Sequence, residues 1–408
     1  MLKILRNITA LLLSLSLTPM CLFVNADTNG DYLDALSEIQ ESDAYWLSAS
    51  IEAATGSLEL SAKAAILMDC ETGEVLYEHN PDLKLPPASV TKIMTLLLVA
   101  EAVDRGDISL TDTVTASREA AGMGGSQIYL KENEEMTVDE LLKAAFVASA
   151  NDASYALAEF VAGSESAFVS LMNKRAAELN MTGTLFKNTT GLPGEEHYST
   201  ARDIAIMSRE LLKHEFIFEY TTIWMDYLRD GATQLVNTNK LIKRYKGAPG
   251  LKTGSTDEAG SCISASAQRD GLSLIAVVLG APSSAERFDD AKKLLDYGFL
   301  NFVSFTPTLP ESISPYPVEG GESLTAEGET GKAPKLLLMK GEENRVKVIL
   351  KEPVTLTAPI KKGDKIGEIE ITLDGEILAL VPVTSKQDIK PLTWWFVFSK
   401  MIASFFTL

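Results

Sequence analysis

Pro86-Pro87-Ala88-Ser89-Val90-Thr91-Lys92-Ile93-Met94-Thr95 is the stretch whose reading decides the fold. The proline pair is expected to open an apolar helix over about residues 89–103, since proline's fixed φ and missing N–H are tolerated in a first turn. Ser89 and Lys92 stand three apart, so their side chains share one helix face within hydrogen-bond reach. A serine hydroxyl attacks poorly until a base takes its proton. Lysine can be that base where burial, or a second cation nearby, favours the neutral amine. The free N–H groups at a helix start would steady a developing oxyanion.

Upstream, residues 64–70 and 75–77 read as a hairpin around Glu71-Thr72-Gly73-Glu74. Downstream, Thr137-Val138-Asp139-Glu140 is a capping box before an apolar run at 141–147. Helical patterns follow over 166–179 and 201–212. Strand signals return after Gly250, over 262–267 and 272–279 behind Asp270-Gly271, and a last helix covers about 285–299. Strand, then many helices, then strands implies an α/β (α+β) sheet with a helical insertion, not the regular alternation of a doubly wound fold. Residues 305–334 have the Pro, Gly and Glu content of a boundary. Beyond them Val346, Val348 and Leu350 alternate, then Ile369, Ile371 and Leu373, with Asp374-Gly375 as a tight turn before 377–383. A small all-β domain is therefore expected over 305–388.

The 408 residues carry 37 Lys and Arg against 56 Asp and Glu, a net charge of −19. A surface that acidic argues against nucleic acid as a partner, because such binding needs positive charge to displace counterions. Lys3 and Arg6 precede a short apolar run at 8–17 and a small residue at Ala26, the pattern of a secretory signal over 1–26. Cys21 would leave with it; Cys70 and Cys262 lie in apolar stretches and read as buried thiols. Residues 27–56 form an acidic leader. At the other end, residues 389–408 read as an amphipathic helix. On a wheel of about 100° per residue, Thr393, Lys400, Ser404 and Thr407 gather opposite Trp394, Trp395, Phe398, Ile402, Phe405 and Phe406. Such a helix suits lying in a membrane surface better than crossing it.

Only three histidines occur, His79, His197 and His214, and there is no Gly-x-Ser-x-Gly elbow, zinc helix or phosphate-binding glycine loop. No metal and no cofactor is expected. Two further polar elements stand out in apolar surroundings: Ser149-Ala150-Asn151, and Lys252-Thr253-Gly254 running into Ser255.

Ser89-x-x-Lys92, Ser149-x-Asn151 and Lys252-Thr253-Gly254, in that order, resemble the three signature elements of penicillin-interacting serine enzymes. The words around them, with His197-Tyr198-Ser199-Thr200-Ala201-Arg202-Asp203, are similar to the serine-type D-alanyl-D-alanine carboxypeptidases, the low-molecular-weight penicillin-binding proteins. The resemblance implies a β-lactamase/transpeptidase-like catalytic domain over 57–304. It implies Ser89 as nucleophile toward the penultimate D-Ala of peptidoglycan stem peptides and Lys92 as base. Ser149 and Asn151 would relay the proton and hold Lys92 and the substrate amide. Lys252 and Thr253 would take the substrate carboxylate beside Gly254, and the Ser89 and Ser255 N–H groups would form the oxyanion hole. β-Lactams would be covalent inhibitors, and the enzyme would sit, exported, on the outer face of the cytoplasmic membrane or be secreted. A β-lactamase-type hydrolase and a non-catalytic wall-binding scaffold are the alternatives. Three departures from the family pattern fall in the same stretches: Thr190 precedes Gly191-Leu192 where histidine is frequent, Leu272-Ser273-Leu274 stands where an arginine is frequent, a role that is lost or passes to Arg269, and Ser255 stands where a larger residue is common.

Overall fold

The computed structural model describes residues 58–351 and 355–405; the expected signal and leader, with Cys21, lie outside the described residues. A hairpin of β1 (Ala64–Asp69) and β2 (Val75–His79) leads into α1 (Lys92–Asp104). Then come α2 (Val138–Lys143), α3 (Asn151–Ala162), α4 (Glu165–Glu178) and α5 (Ala201–Leu211). The chain returns as β3 (Gly250–Thr256), β4 (Gly260–Arg269) and β5 (Leu272–Ala281), and closes on α6 (Ser284–Asn301). The five strands form one antiparallel sheet in the order β2-β1-β5-β4-β3.

The two-residue period of the strands decides what covers each face. Ile66 and Met68 of β1, with Ile275, Val277 and Leu279 of β5, join the core under the helical insertion. Their neighbours Ala65, Leu67, Leu274, Ala276 and Val278 join the core under α6. Strands buried on both faces read as unbroken apolar runs, and residues 272–281 are buried at every position except Ser273. Helix α1 is apolar all round, as a helix enclosed by others must be; every residue from Lys92 to Ala100 is buried. Enclosure of its first turn is what removes Lys92 from water.

Two local departures shape the site. Ala88 stands at φ +49°, and residues Ala88–Thr91 form a 3-10 turn before α1, so Ser89 precedes the α-helix instead of starting it. The left-handed conformation costs a non-glycine residue about 1–2 kcal/mol. The capping box at Thr137 is present, but α2 then widens into a π-turn over Ala144–Ala148 that ends on Ser149 at φ +60°. π-Turns of this kind commonly mark functional sites.

Cys262 is buried; Cys70 is only half-buried, because it follows the last residue of β1 at the sheet's end. In the β region, β6 (Val346–Leu350), β7 (Lys365–Leu373) and β8 (Glu376–Ser385) pair around a third apolar core. The β7–β8 turn has positive φ at both Asp374 and Gly375, the two-residue turn whose twist matches the strands. A final helix, α7 (Trp394–Phe405), exposes Trp394 and Trp395. Among the described residues no helix is long and apolar enough to cross a membrane.

Candidate active site

Lys92 Nζ donates to Ser89 Oγ at 2.9 Å and to the Thr190 carbonyl at 2.7 Å. The amine is fully buried, and its pKa is held well below the ordinary lysine value, first by burial and then by the charge of Lys252; the carboxylate of Asp152 opposes this without overcoming it. Lys252 is as deeply enclosed, and burial with the neighbouring Arg287 lowers its pKa to about 7. Among the described residues neither lysine has a salt-bridge partner. A buried amine without a counter-ion gives up its proton cheaply, which is the property a base needs.

Strand β3 lies directly against the nucleophile's turn. A Cβ on Gly254 would fall 2.7 Å from the Ser89 nitrogen and 3.0 Å from that of Val90, so only glycine permits the approach. From the other side Gly191, at φ +82°, abuts the Ala88 carbonyl; a Cβ there would fall 1.8 Å from that oxygen. The peptide groups of the turn are therefore clasped between a strand and a loop.

That loop is itself braced. Asn188 Oδ1 accepts from the Thr190 and Gly191 N–H groups, at 3.2 and 2.7 Å. Glu165, in the first turn of α4, accepts from the N–H and hydroxyl of Thr189, and Thr95 of α1 donates to the Thr189 carbonyl at 2.6 Å. Since residue 190 serves through its backbone oxygen, threonine in place of the frequent histidine leaves this contact to Lys92 intact. His197 pins the turn from behind. Its Nδ1 accepts from the Lys187 N–H at 3.1 Å, which leaves Nε2 to donate to Thr91 Oγ1 at 2.8 Å. Burial lowers its pKa to about 4, so it stays neutral at pH 7.

Ser149 and Asn151 flank the enclosed end of α3. Asn151 Nδ2 donates to the Gly124 carbonyl at 2.6 Å, while Ser149 Oγ and Asn151 Oδ1 are buried without a hydrogen-bond partner. Buried polar atoms left open are uncommon, and in a native fold they call for an explanation. Thr253 Oγ1 donates to Thr238 Oγ1 at 2.8 Å. Ser255 is exposed at the strand's end, its hydroxyl 3.1 Å from Arg287 Nη1.

Arg287 escaped the sequence reading. It reaches from α6 to the Gly254 carbonyl at 2.9 Å and stiffens β3 from beneath. Arg269, offered as a substitute arginine, does not serve. It lies at the opposite end of β4, five residues past the partner of Lys252 and so about 17 Å along the strand, where it stacks on Tyr245 and Phe299. Asn188, Glu165 and Thr238 were missed as well: Glu165 and Thr238 act through contacts distant in sequence, whereas Asn188 folds back on the turn just after it, a local asparagine turn that the sequence could have signalled.

A serine hydroxyl bonded to a buried lysine, with a second buried lysine on an adjoining strand, defines the class: serine hydrolases that use lysine in the place of histidine. Residues 50–283 match the family described as D-alanyl-D-alanine carboxypeptidase, and residues 311–391 match the penicillin-binding protein 5 C-terminal domain. The chain belongs to the D-alanyl-D-alanine carboxypeptidase family of serine peptidases. It is 46% identical over 342 residues to D-alanyl-D-alanine carboxypeptidase DacF of Bacillus subtilis (strain 168), across 82% of this chain and 88% of that protein. It is 36% identical to DacC of Escherichia coli (strain K12), across 81% and 85%. Among solved structures, penicillin binding protein 5 from Haemophilus influenzae superposes with a TM-score of 0.71 at 31% identity, covering 82% of this chain and 99% of that one. Penicillin-binding protein D2 from Listeria monocytogenes, in its ampicillin-bound form, has a TM-score of 0.55 at 36% identity, over 60% and 99%.

Proposed function

We propose that this protein removes the terminal D-Ala from peptidoglycan stem peptides by way of an acyl-enzyme on Ser89, and that β-lactams are trapped at the same oxygen. The observation that carries the reading is the 2.9 Å contact between Ser89 Oγ and the buried amine of Lys92. Neutral Lys92 takes the hydroxyl proton as Ser89 Oγ bonds to the carbonyl carbon of the penultimate D-Ala. The oxyanion collapses, the peptide C–N bond breaks, and the departing amine of D-Ala receives the proton by way of Ser149. Water then attacks the ester, giving its proton to Lys92, and the shortened peptide leaves with Ser89 restored.

The Ser89 and Ser255 N–H groups are assigned to the oxyanion, which the clasp by Gly254 supports. Asn151, whose Oδ1 is open, is assigned to the substrate amide. Lys252 and Thr253, beside Gly254, are assigned to the terminal carboxylate, for which local positive charge outweighs an acidic total. We read residues 57–304 as the catalytic domain, 305–388 as the β domain, and 389–408 as a helix that rests on a membrane surface after export; the exposed Trp394, Trp395 and Met401 support the last.

The test is release of D-Ala from a short peptide ending in D-Ala-D-Ala, comparing the natural chain with Ser89→Ala and Lys92→Ala. Both substitutions are expected to abolish turnover. Undiminished activity in either removes that residue from the mechanism. Rapid release of bound penicillin would instead mark a β-lactamase.

A further inference from the structure

The helix-facing side of the main sheet has a second opening, at the end away from Ser89. Ser273, Gln268 and Ser266 from β5 and β4 floor a cleft of about 730 Å³, walled by the C-terminal end of α5 and by Phe218. That volume lies within the about 300–1,000 Å³ of ligand pockets. The cleft adjoins the junction with the β region, where Glu71 of its rim pairs with Lys335 at 3.3 Å. Ser266 pairs with Gly250, the first residue of β3, so the cleft is separated from Gly254 by about 13 Å of strand.

Its chemistry narrows what could fill it. The charges on its walls are Arg209 and Lys213 against Glu71 and Glu215. Lys213 pairs with Glu210 and Glu71 with Lys335, while Arg209 is held by the Cys70 and Glu71 carbonyls at 2.8 and 2.7 Å, leaving its charge against that of Glu215. A balanced wall gives no net attraction for an anion or a cation. What stays open is neutral. Ser266 Oγ is buried without a partner on the floor, and the Gln268 amide makes no side-chain hydrogen bond among the described residues. A hydroxyl and an amide each donate and accept, and the half-buried ring of Phe218 offers a flat apolar wall.

We infer that this cleft binds an uncharged saccharide, the glycan on which stem peptides are carried, and so holds the polymer apart from the site that cuts it. Sugar hydroxyls, which both donate and accept, match the exposed Gln268 amide, and the C–H face of a pyranose matches Phe218. The inference rests on the cell-wall reading above.

The experiment is calorimetric titration of the full chain with chitotetraose, a neutral N-acetylglucosamine tetramer, with penicillin labelling of Ser89 run in parallel. Binding to the natural chain is expected, weakened at least tenfold by Gln268→Ala and by Phe218→Ala, with labelling unchanged. Gln268 is exposed, so its variant tests the cleft even if loss of Phe218 disturbs folding. No binding by the natural chain, or binding indifferent to both substitutions, overturns the inference. Equal affinity for a charged tetrapeptide overturns the saccharide assignment too. Glycan binding without penicillin labelling would uphold the cleft while removing the proposed reaction.

Discussion

The catalytic and β regions of this chain bury very different things. Among the described residues Lys92 and Lys252 are enclosed in the catalytic region with no carboxylate paired to either, and the Ser149 hydroxyl and an Asn151 oxygen are buried there without a partner. In the β region the core is Ile366, Ile369, Ile371, Val381 and Val383, and the charges stay outside in pairs such as Arg345 with Asp374. Burying an unpaired cation costs several kcal/mol, so a fold carries one only where something else depends on it. The β region is held by an apolar core. The catalytic region gives up stability to enclose two amines.

The largest expected break in that contrast comes from Lys92→Met. Penicillin acylation of Ser89 should fall by about 10²–10⁴, the usual contribution of a positioned base, while the thermal midpoint rises because a buried amine is gone. A midpoint that falls instead would mean the lysine holds the fold together. The mirror experiment is Ile371→Ala, a fully buried side chain. Denaturant unfolding should show a loss of about 2–5 kcal/mol, and the acylation rate should not move.

Acidity sharpens the same point. Lys252 titrates near 7 in the folded chain and near about 10.4 unfolded. Between those values the unfolded state binds more protons, so stability climbs with pH, and below about 7 the full penalty applies. The stability gap between Lys252→Met and the natural chain should therefore shrink by about 2–3 kcal/mol from pH 7 to pH 9, measured by urea unfolding at each pH. The smallest effect belongs to Arg345→Ala. Its ion pair is half-exposed, and its loss should cost about 1 kcal/mol or less in the same assay.

Much of the catalytic region could be read from sequence because its determinants are local. Apolar strand-like runs marked β4 and β5, the capping box marked α2, and Ser89 and Lys92 stand a helical turn apart. Helix α3 went unread. The polar Ser149-Ala150-Asn151 before it looks like a helix break, yet the helix starts at Asn151, and Asp152 turns inward and accepts from the Ile128 and Leu130 N–H groups. The bracing of Thr189 by Glu165, and the reach of Arg287 beneath β3, join residues far apart in the chain. No pattern along one segment encodes them. Arg269 was misplaced for the same reason: closeness in sequence to a motif says little about which end of a strand a side chain occupies.

The two glycines that grip the Ala88–Ser89 peptides bear on drug resistance. A gene under antibiotic selection can explore only substitutions that leave a working enzyme, and any side chain at 191 or 254 collides with the peptides it must hold. Variants that evade β-lactams must therefore arise at more permissive positions around the pocket mouth, such as the exposed Ser255, and sequencing of resistant isolates should find both glycines untouched.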